Sequence, residues 1–138
     1  MNPAAWPTLP DVKWIVPAAW RPHRHDSVAL ESLAMDFVDV LCSADALITK
    51  PGYGSFVEAA CNGIPVLYAP RLDWPEEPFL VNWLQQNGRC LPIQRTQLQE
   101  GGFAAALEQL ISRPARTPVI PSGITDAVAR LSELLNQV

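Results

Sequence analysis

Short apolar segments alternate with amphipathic ones along this chain, and that alternation restricts its fold more than any other feature. Residues 12–17 (VKWIVP), 46–49 (ALIT), 65–69 (PVLYA) and 90–93 (CLPI) read as strands. Helical patterns cover residues 37–44, 55–62, 79–87, 103–112 and 124–137. A strand that is apolar throughout, without polar alternation, has to be covered on both faces. The arrangement that does so is α/β: a Rossmann-like three-layer αβα sandwich built on a parallel sheet. In such sheets, ligands sit in the crevice beyond the carboxyl ends of the strands.

Local signals refine the boundaries. Ten of the fourteen prolines, among them Pro17, Pro51, Pro65, Pro70, Pro75, Pro78 and Pro92, fall where elements are expected to end. Residues 29–34 fit a strand or a helix and are read as a short strand. Asp36 has the chemistry of an N-cap, with Asp39 in the first turn behind it. Gly63 and Gly88 close the second and third helices. Phe103, Ala106, Leu107, Leu110 and Ile111 share one helical face, and Val128, Leu131, Leu134 and Leu135 are expected to face inward from the last helix.

A length of 138 residues suits one domain with a real core. The net charge of -4 comes without a basic block, so no nucleic-acid footprint exists. MNPAAWPTLP carries no positive n-region and no apolar h-region, so no signal peptide is expected. The apolar runs are too short to span a bilayer. Cys42, Cys61 and Cys90 lie far apart without CxxC or finger spacing, and are read as three reduced, buried thiols in a cytoplasmic protein.

TKPGYGSFVEA, residues 49–59, joins a buried strand to a helix. Helix starts carry unpaired N–H groups and the positive end of the macrodipole. Glycines let a ligand approach the backbone closely, and Pro51 ends the strand's pairing. A phosphate or diphosphate cradle fits this loop, with Ser55 as a hydroxyl donor and Lys50 as a nearby charge. A purely structural turn fits equally well, because the loop matches neither GxGxxG nor a Walker sequence. Glu58 has two readings as well. It can accept hydrogen bonds from a ribose diol, or it can close an S-x-x-E capping box with Ser55.

Two further loops hold candidates. Asp73, Glu76 and Glu77 precede a helix, where acids favour the dipole and Pro78 suits an early position. Trp74 beside them can stack on a sugar ring or pack onto its own domain. Arg21, His23, Arg24 and His25 (WRPHRHD) follow a strand and can touch an anion or a metal, but a solvated basic loop is the better reading.

The run SADALITKPGYGSFVEAACNGIPVLYAPR resembles the donor-binding segment of GT-B glycosyltransferases, particularly the MurG and UDP-glycosyltransferase group. The continuation DWPEEPFLVNWLQQNG is similar to the glycosyltransferase-like domain of arabinokinase-type proteins. The likeness covers residues 14–93 well and the last two helices by architecture. It implies that Gly52, Tyr53, Gly54 and Ser55 meet the diphosphate of a nucleotide-sugar, most simply a UDP-sugar, and that Glu58 holds the ribose. It also implies that Asp73, Glu76 and Glu77 approach the donor sugar, although MurG-type relatives tend to carry glutamines where this chain has Glu76 and Glu77. Residues 1–138 then form part of the C-terminal, donor-binding half of a GT-B fold. The N-terminal acceptor domain and the first strand-helix unit are expected to lie outside this sequence. No metal and no cofactor is expected, and no catalytic residue is assigned within the chain.

Overall fold

The computed structural model describes residues 3–20 and 23–136. Among the described residues five strands form: β1 (Trp14–Val16), β2 (Ser27–Ala29), β3 (Leu47–Thr49), β4 (Val66–Tyr68) and β5 (Cys90–Pro92). All pairings are parallel. β1 pairs with β2, while β4 lies between β3 and β5 in a separate three-stranded sheet. Helices α1 (Phe37–Cys42), α2 (Tyr53–Cys61), α3 (Glu77–Asn87), α4 (Arg95–Glu100), α5 (Ala104–Ile111) and α6 (Gly123–Leu135) complete the fold. Two of them, α2 and α3, are the crossovers that parallel neighbours require.

Alternation along β4 builds the layers. Val66 and Tyr68 pack with Phe56, Ala59 and Ala60 of α2 and with Leu80 and Leu84 of α3. Leu67, between them, joins the opposite cluster with Trp14, Val16, Phe103, Leu107 and Leu110. The same β1 side chains that pair with β2 therefore share a core with the three-stranded sheet. The chain is one α/β domain with a Rossmann-like, layered character, as its alternating pattern predicts.

Several local expectations change. Only Ala29 of residues 29–34 is strand, because Leu30–Leu33 winds into a 3-10 turn closed by Ala34 in the left-handed region. Asp36 has the extended N-cap backbone but makes no capping bond with its side chain. Residues 95–100, to which the sequence pattern assigns no element, form α4, where the Gln97 side chain accepts the Gln94 N–H at 2.9 Å. Of the three thiols only Cys90 is buried, and burial pushes it up; Cys61 is half-buried and Cys42 exposed. Ile111 sits at the margin of its helical stripe and stays exposed.

The largest correction concerns α6. Its stripe is real, but Val128, Leu131, Leu134 and Leu135 face solvent, with Leu131 59% exposed. Amphipathic spacing shows that a helix has an apolar side; it does not place a core opposite that side. Gln137, the last residue of the expected helix, lies outside the described residues. Among the described residues, no helix is long and apolar enough to cross a membrane.

Arg24 is not part of a solvated basic loop. Its guanidinium donates to the carbonyls of Pro3, Trp6 and Pro7, to Thr8 Oγ1 and to both carboxylate oxygens of Asp26. This ties the N-terminal segment onto β1 and β2, where Trp6 packs edge-on against Trp14 and Phe103. Arg21 of the same loop lies outside the described residues, while His23 and His25 are exposed. The hydrogen bonds from Arg24 hold the Asp26 carboxyl down to about 2.

A depressed carboxylate stabilises the folded state above its ordinary value and loses that contribution as pH falls through its folded value. The melting temperature of the wild type should therefore exceed that of Asp26→Asn at about pH 6, and the gap should shrink steadily between about pH 4 and pH 2. Thermal melts across that range, followed by circular dichroism, check it. A gap independent of pH would show that Asp26 acts by shape and not by charge.

Candidate functional site

β3 and β4 are neighbours in register, Leu47 opposite Val66 and Thr49 opposite Tyr68, so their carboxyl ends open side by side. The chain leaves β3 through Lys50, the fully buried Pro51 and Gly52, then enters α2 at Tyr53. It leaves β4 through Ala69 and Pro70 and reaches α3 at Glu77. These two exits bring seven of the expected site residues, Gly52 to Ser55 with Asp73, Glu76 and Glu77, to one end of the three-stranded sheet. Glu58 follows one turn further along α2.

The start of α2 decides between readings that the sequence left open. Gly52 is the N-cap and Tyr53 the first helical residue, two positions earlier than expected. Ser55 is therefore inside the first turn and makes no capping bond. The S-x-x-E capping box does not form, and the Glu58 carboxylate has no hydrogen bond or ion pair among the described residues. Phe56 N–H closes the first helical bond onto the Gly52 carbonyl at 3.1 Å. The N–H groups of Tyr53, Gly54 and Ser55 have no acceptor among the described residues, as expected for the first turn of a helix.

The glycines are not demanded by the fold. Gly52 is extended, with φ of -164°, a backbone that any residue adopts. A Cβ on Gly54 would meet nothing within 4 Å, and one on Gly52 would approach only the Lys50 carbonyl, at 4.0 Å. Contrast Gly101, in the left-handed region, where a Cβ would overlap the Ala5 carbonyl. The packing explains Gly101 and leaves Gly52 and Gly54 without an internal reason.

The second loop is held from within. Glu77 is only 8% exposed, and its Oε2 accepts the Arg71 N–H at 2.7 Å. Pro78 takes the early helical position that its ring favours. Trp74 packs against the cluster under α2 and α3, and the Arg71 guanidinium lies 4.8 Å from its ring centre. The loop encloses a cleft of about 530 Å³, lined by Tyr68, Arg71, Asp73, Trp74, Glu77 and Val81 among others. Burial pushes the Tyr68 phenol up.

One contact joins the two exits. Tyr53 donates its hydroxyl to Glu76 Oε2 at 2.7 Å, and this bond raises the Tyr53 phenol above its ordinary value. Tyr53 also meets Trp74 edge-on at 5.7 Å. Residue order alone gave no sign of this link, because its ends are 23 residues apart. A second cleft of about 550 Å³ follows β2, lined by Leu30, Glu31, Met35, Asp36, Phe37 and Asp39 among others, and was not read from the sequence.

No family model matches the chain. It is 30% identical over 131 residues to the UDP-N-acetylglucosamine--N-acetylmuramyl-(pentapeptide) pyrophosphoryl-undecaprenol N-acetylglucosamine transferase of Deinococcus deserti, over 91% of this chain and 34% of that protein. Over 74 residues it is 31% identical to the L-arabinokinase of Arabidopsis thaliana, covering 54% of this chain and 7% of that protein. The chain thus spans about a third of the first relative's length and under a tenth of the second's. No solved structure matches. Along nearly its whole length the sequence is thus similar to part of that transferase.

Because neither Ser55 nor Glu58 caps α2, Ser55→Ala and Glu58→Ala should each change unfolding free energy by less than about 0.5 kcal/mol. Urea denaturation measures this. A loss near 1 kcal/mol in both variants would mean that the capping box forms after all.

Proposed function

We propose that this chain is the nucleotide-sugar-binding half of a glycosyltransferase, with the C-terminal GT-B domain as its architectural role. The observation that carries the reading is the N-terminus of α2. Two glycines there have open space where a Cβ would sit, beside free N–H groups and an unpartnered Glu58 carboxylate. A diphosphate fits the first feature, because helix N-termini bind anions through N–H groups and the dipole. A ribose diol fits the second, because an ionised carboxylate accepts hydrogen bonds only. The similarity to the Deinococcus deserti transferase supports a UDP-hexose as donor.

In this reading Gly52, Tyr53, Gly54 and Ser55 meet the diphosphate and Glu58 the ribose, while Asp73, Glu76 and Glu77 border the sugar. Catalysis would come from holding the donor in place and from stabilising the departing diphosphate at the start of α2. The acceptor and a base would be supplied by an N-terminal domain of the same cytoplasmic polypeptide. A second reading draws on the likeness to L-arabinokinase: a non-catalytic regulatory module that binds a nucleotide or a sugar at the same loop. A donor site is common to both.

Amide NMR titration with UDP, GDP, ADP and CMP tests the site. UDP should shift Gly52, Gly54, Ser55 and Glu58 selectively. No shift at millimolar nucleotide would remove the donor site and leave fold analogy alone.

Gly54→Ala gives a sharper result, because fold and ligand pull in opposite directions. In the first turn of a helix alanine should hold or raise stability, by up to about 1 kcal/mol. The same methyl group should weaken UDP binding by about tenfold or more, since it occupies the space assigned to the ligand. Unchanged UDP affinity in this variant would move the diphosphate elsewhere.

A further inference from the structure

We propose that Arg89, Arg113 and Arg116 form a second anion site, at the amino ends of the strands and opposite the start of α2, and that it takes a dianionic phosphoryl group.

Three segments meet there. Arg89 immediately precedes β5, while Arg113 and Arg116 lie in the link between α5 and α6. Arg89 donates to the Gly63 carbonyl, just past α2, at 3.2 Å and to the Arg113 carbonyl, just past α5, at 3.0 Å. Arg113 donates to the Cys90 carbonyl at 3.0 Å. Arg116 donates to the Gln85 and Gln86 carbonyls, in the last turn of α3, at 3.0 and 2.7 Å. The link is held against α2 as well, because the Val119 N–H donates to the Ala60 carbonyl at 3.2 Å. Three guanidiniums are thus gathered around three helix C-termini.

Those carbonyls account for part of the cluster. A helix C-terminus carries roughly half a negative charge, so three of them offset about half of the three guanidinium charges. No carboxylate supplies the rest. Among the described residues the ion pairs are Arg24–Asp26 and Arg130–Glu133, both elsewhere, although the chain as a whole has a net charge of -4. Hydrogen bonding is incomplete at the same place. A guanidinium has five N–H donors. Arg89 uses two groups on carbonyls, and its Nε is buried with no acceptor among the described residues, a costly state for a charged donor. Cys90 feels the same field: burial pushes its thiol up, and the charges of Arg113 and Arg116 oppose that rise.

A phosphoryl group supplies what is missing. Its two charges cancel the excess, and its several oxygens accept from more than one guanidinium in the fork geometry that arginine offers. The α2 helix has nine residues, so its two ends lie about 13 Å apart and one diphosphate cannot serve both. Two of the arginines belong to the link and one to the start of β5. A bound phosphoryl group therefore ties the link between α5 and α6 to the sheet.

Inorganic phosphate and glycerol 3-phosphate, above the second ionisation of each, are titrated into the full chain at constant ionic strength and followed by amide NMR. Sodium chloride is titrated in parallel. Both phosphates should shift Gly63, Arg89, Cys90 and Arg116 saturably, and the tighter probe shows whether the site prefers free or esterified phosphate. Gly52 and Gly54 report separately on any binding at the start of α2. Arg113 and Arg116 are exposed, so Arg113→Gln and Arg116→Gln should stay folded, and melts verify it. Each should weaken phosphate at the Arg89 amides by about tenfold, the loss expected of one charge-assisted contact, and leave Gly52 and Gly54 as in the wild type. Equal shifts with chloride would reduce the effect to screening and overturn the site. Unchanged phosphate affinity in both variants, or no shift in the wild type at millimolar phosphate, would overturn it too, leaving the arginines only to close helix ends.

Discussion

The double burial of β4 is the constraint on which the rest depends. Val66 and Leu67 have no measurable exposure and Tyr68 has 3%. With side chains alternating across the sheet, β4 joins the two layers, and its neighbours do the same through Ile48 and Leu91 on one side and Leu47 and Cys90 on the other. Loss of packing at Leu67 would loosen α5 and β1 together; loss at Val66 would loosen α2 and α3. The same centrality places the candidate site, since the loop after β4 and the loop after β3 open next to each other only because these strands pair.

Much of this was legible in the residue order. Continuous apolar strands predicted the parallel, layered arrangement, and Gly63 closes α2 in the left-handed conformation expected of it. What failed were readings whose meaning depends on where an element begins. Ser55 and Glu58 have capping-box spacing, yet α2 starts two residues earlier and the spacing loses its purpose. A real helix start at Gln94 went unread because glutamine is an uncommon N-cap. Sequence spacing fixes which residues share a face; it does not fix the register of the helix end.

The long-range contacts were invisible for another reason. Arg24 looked like one basic residue among several in a polar loop, and its partners are backbone carbonyls that every residue possesses. The outward stripe of α6 and the Tyr53–Glu76 bond share this character, since both depend on what tertiary structure brings opposite a side chain. Of the candidate site, the α2 portion was readable from TKPGYGSFVEA, while the division of labour between Glu76 and Glu77 was not.

The Arg24 knot has a consequence for how this chain can vary. A guanidinium that grips peptide oxygens reads the path of the backbone and is indifferent to most of the residues along it. The opening segment is thus free to drift in sequence wherever its side chains do not enter the core, as Trp6 does. Selection on that region should fall on one arginine and its acid, while the residues they hold diverge around them.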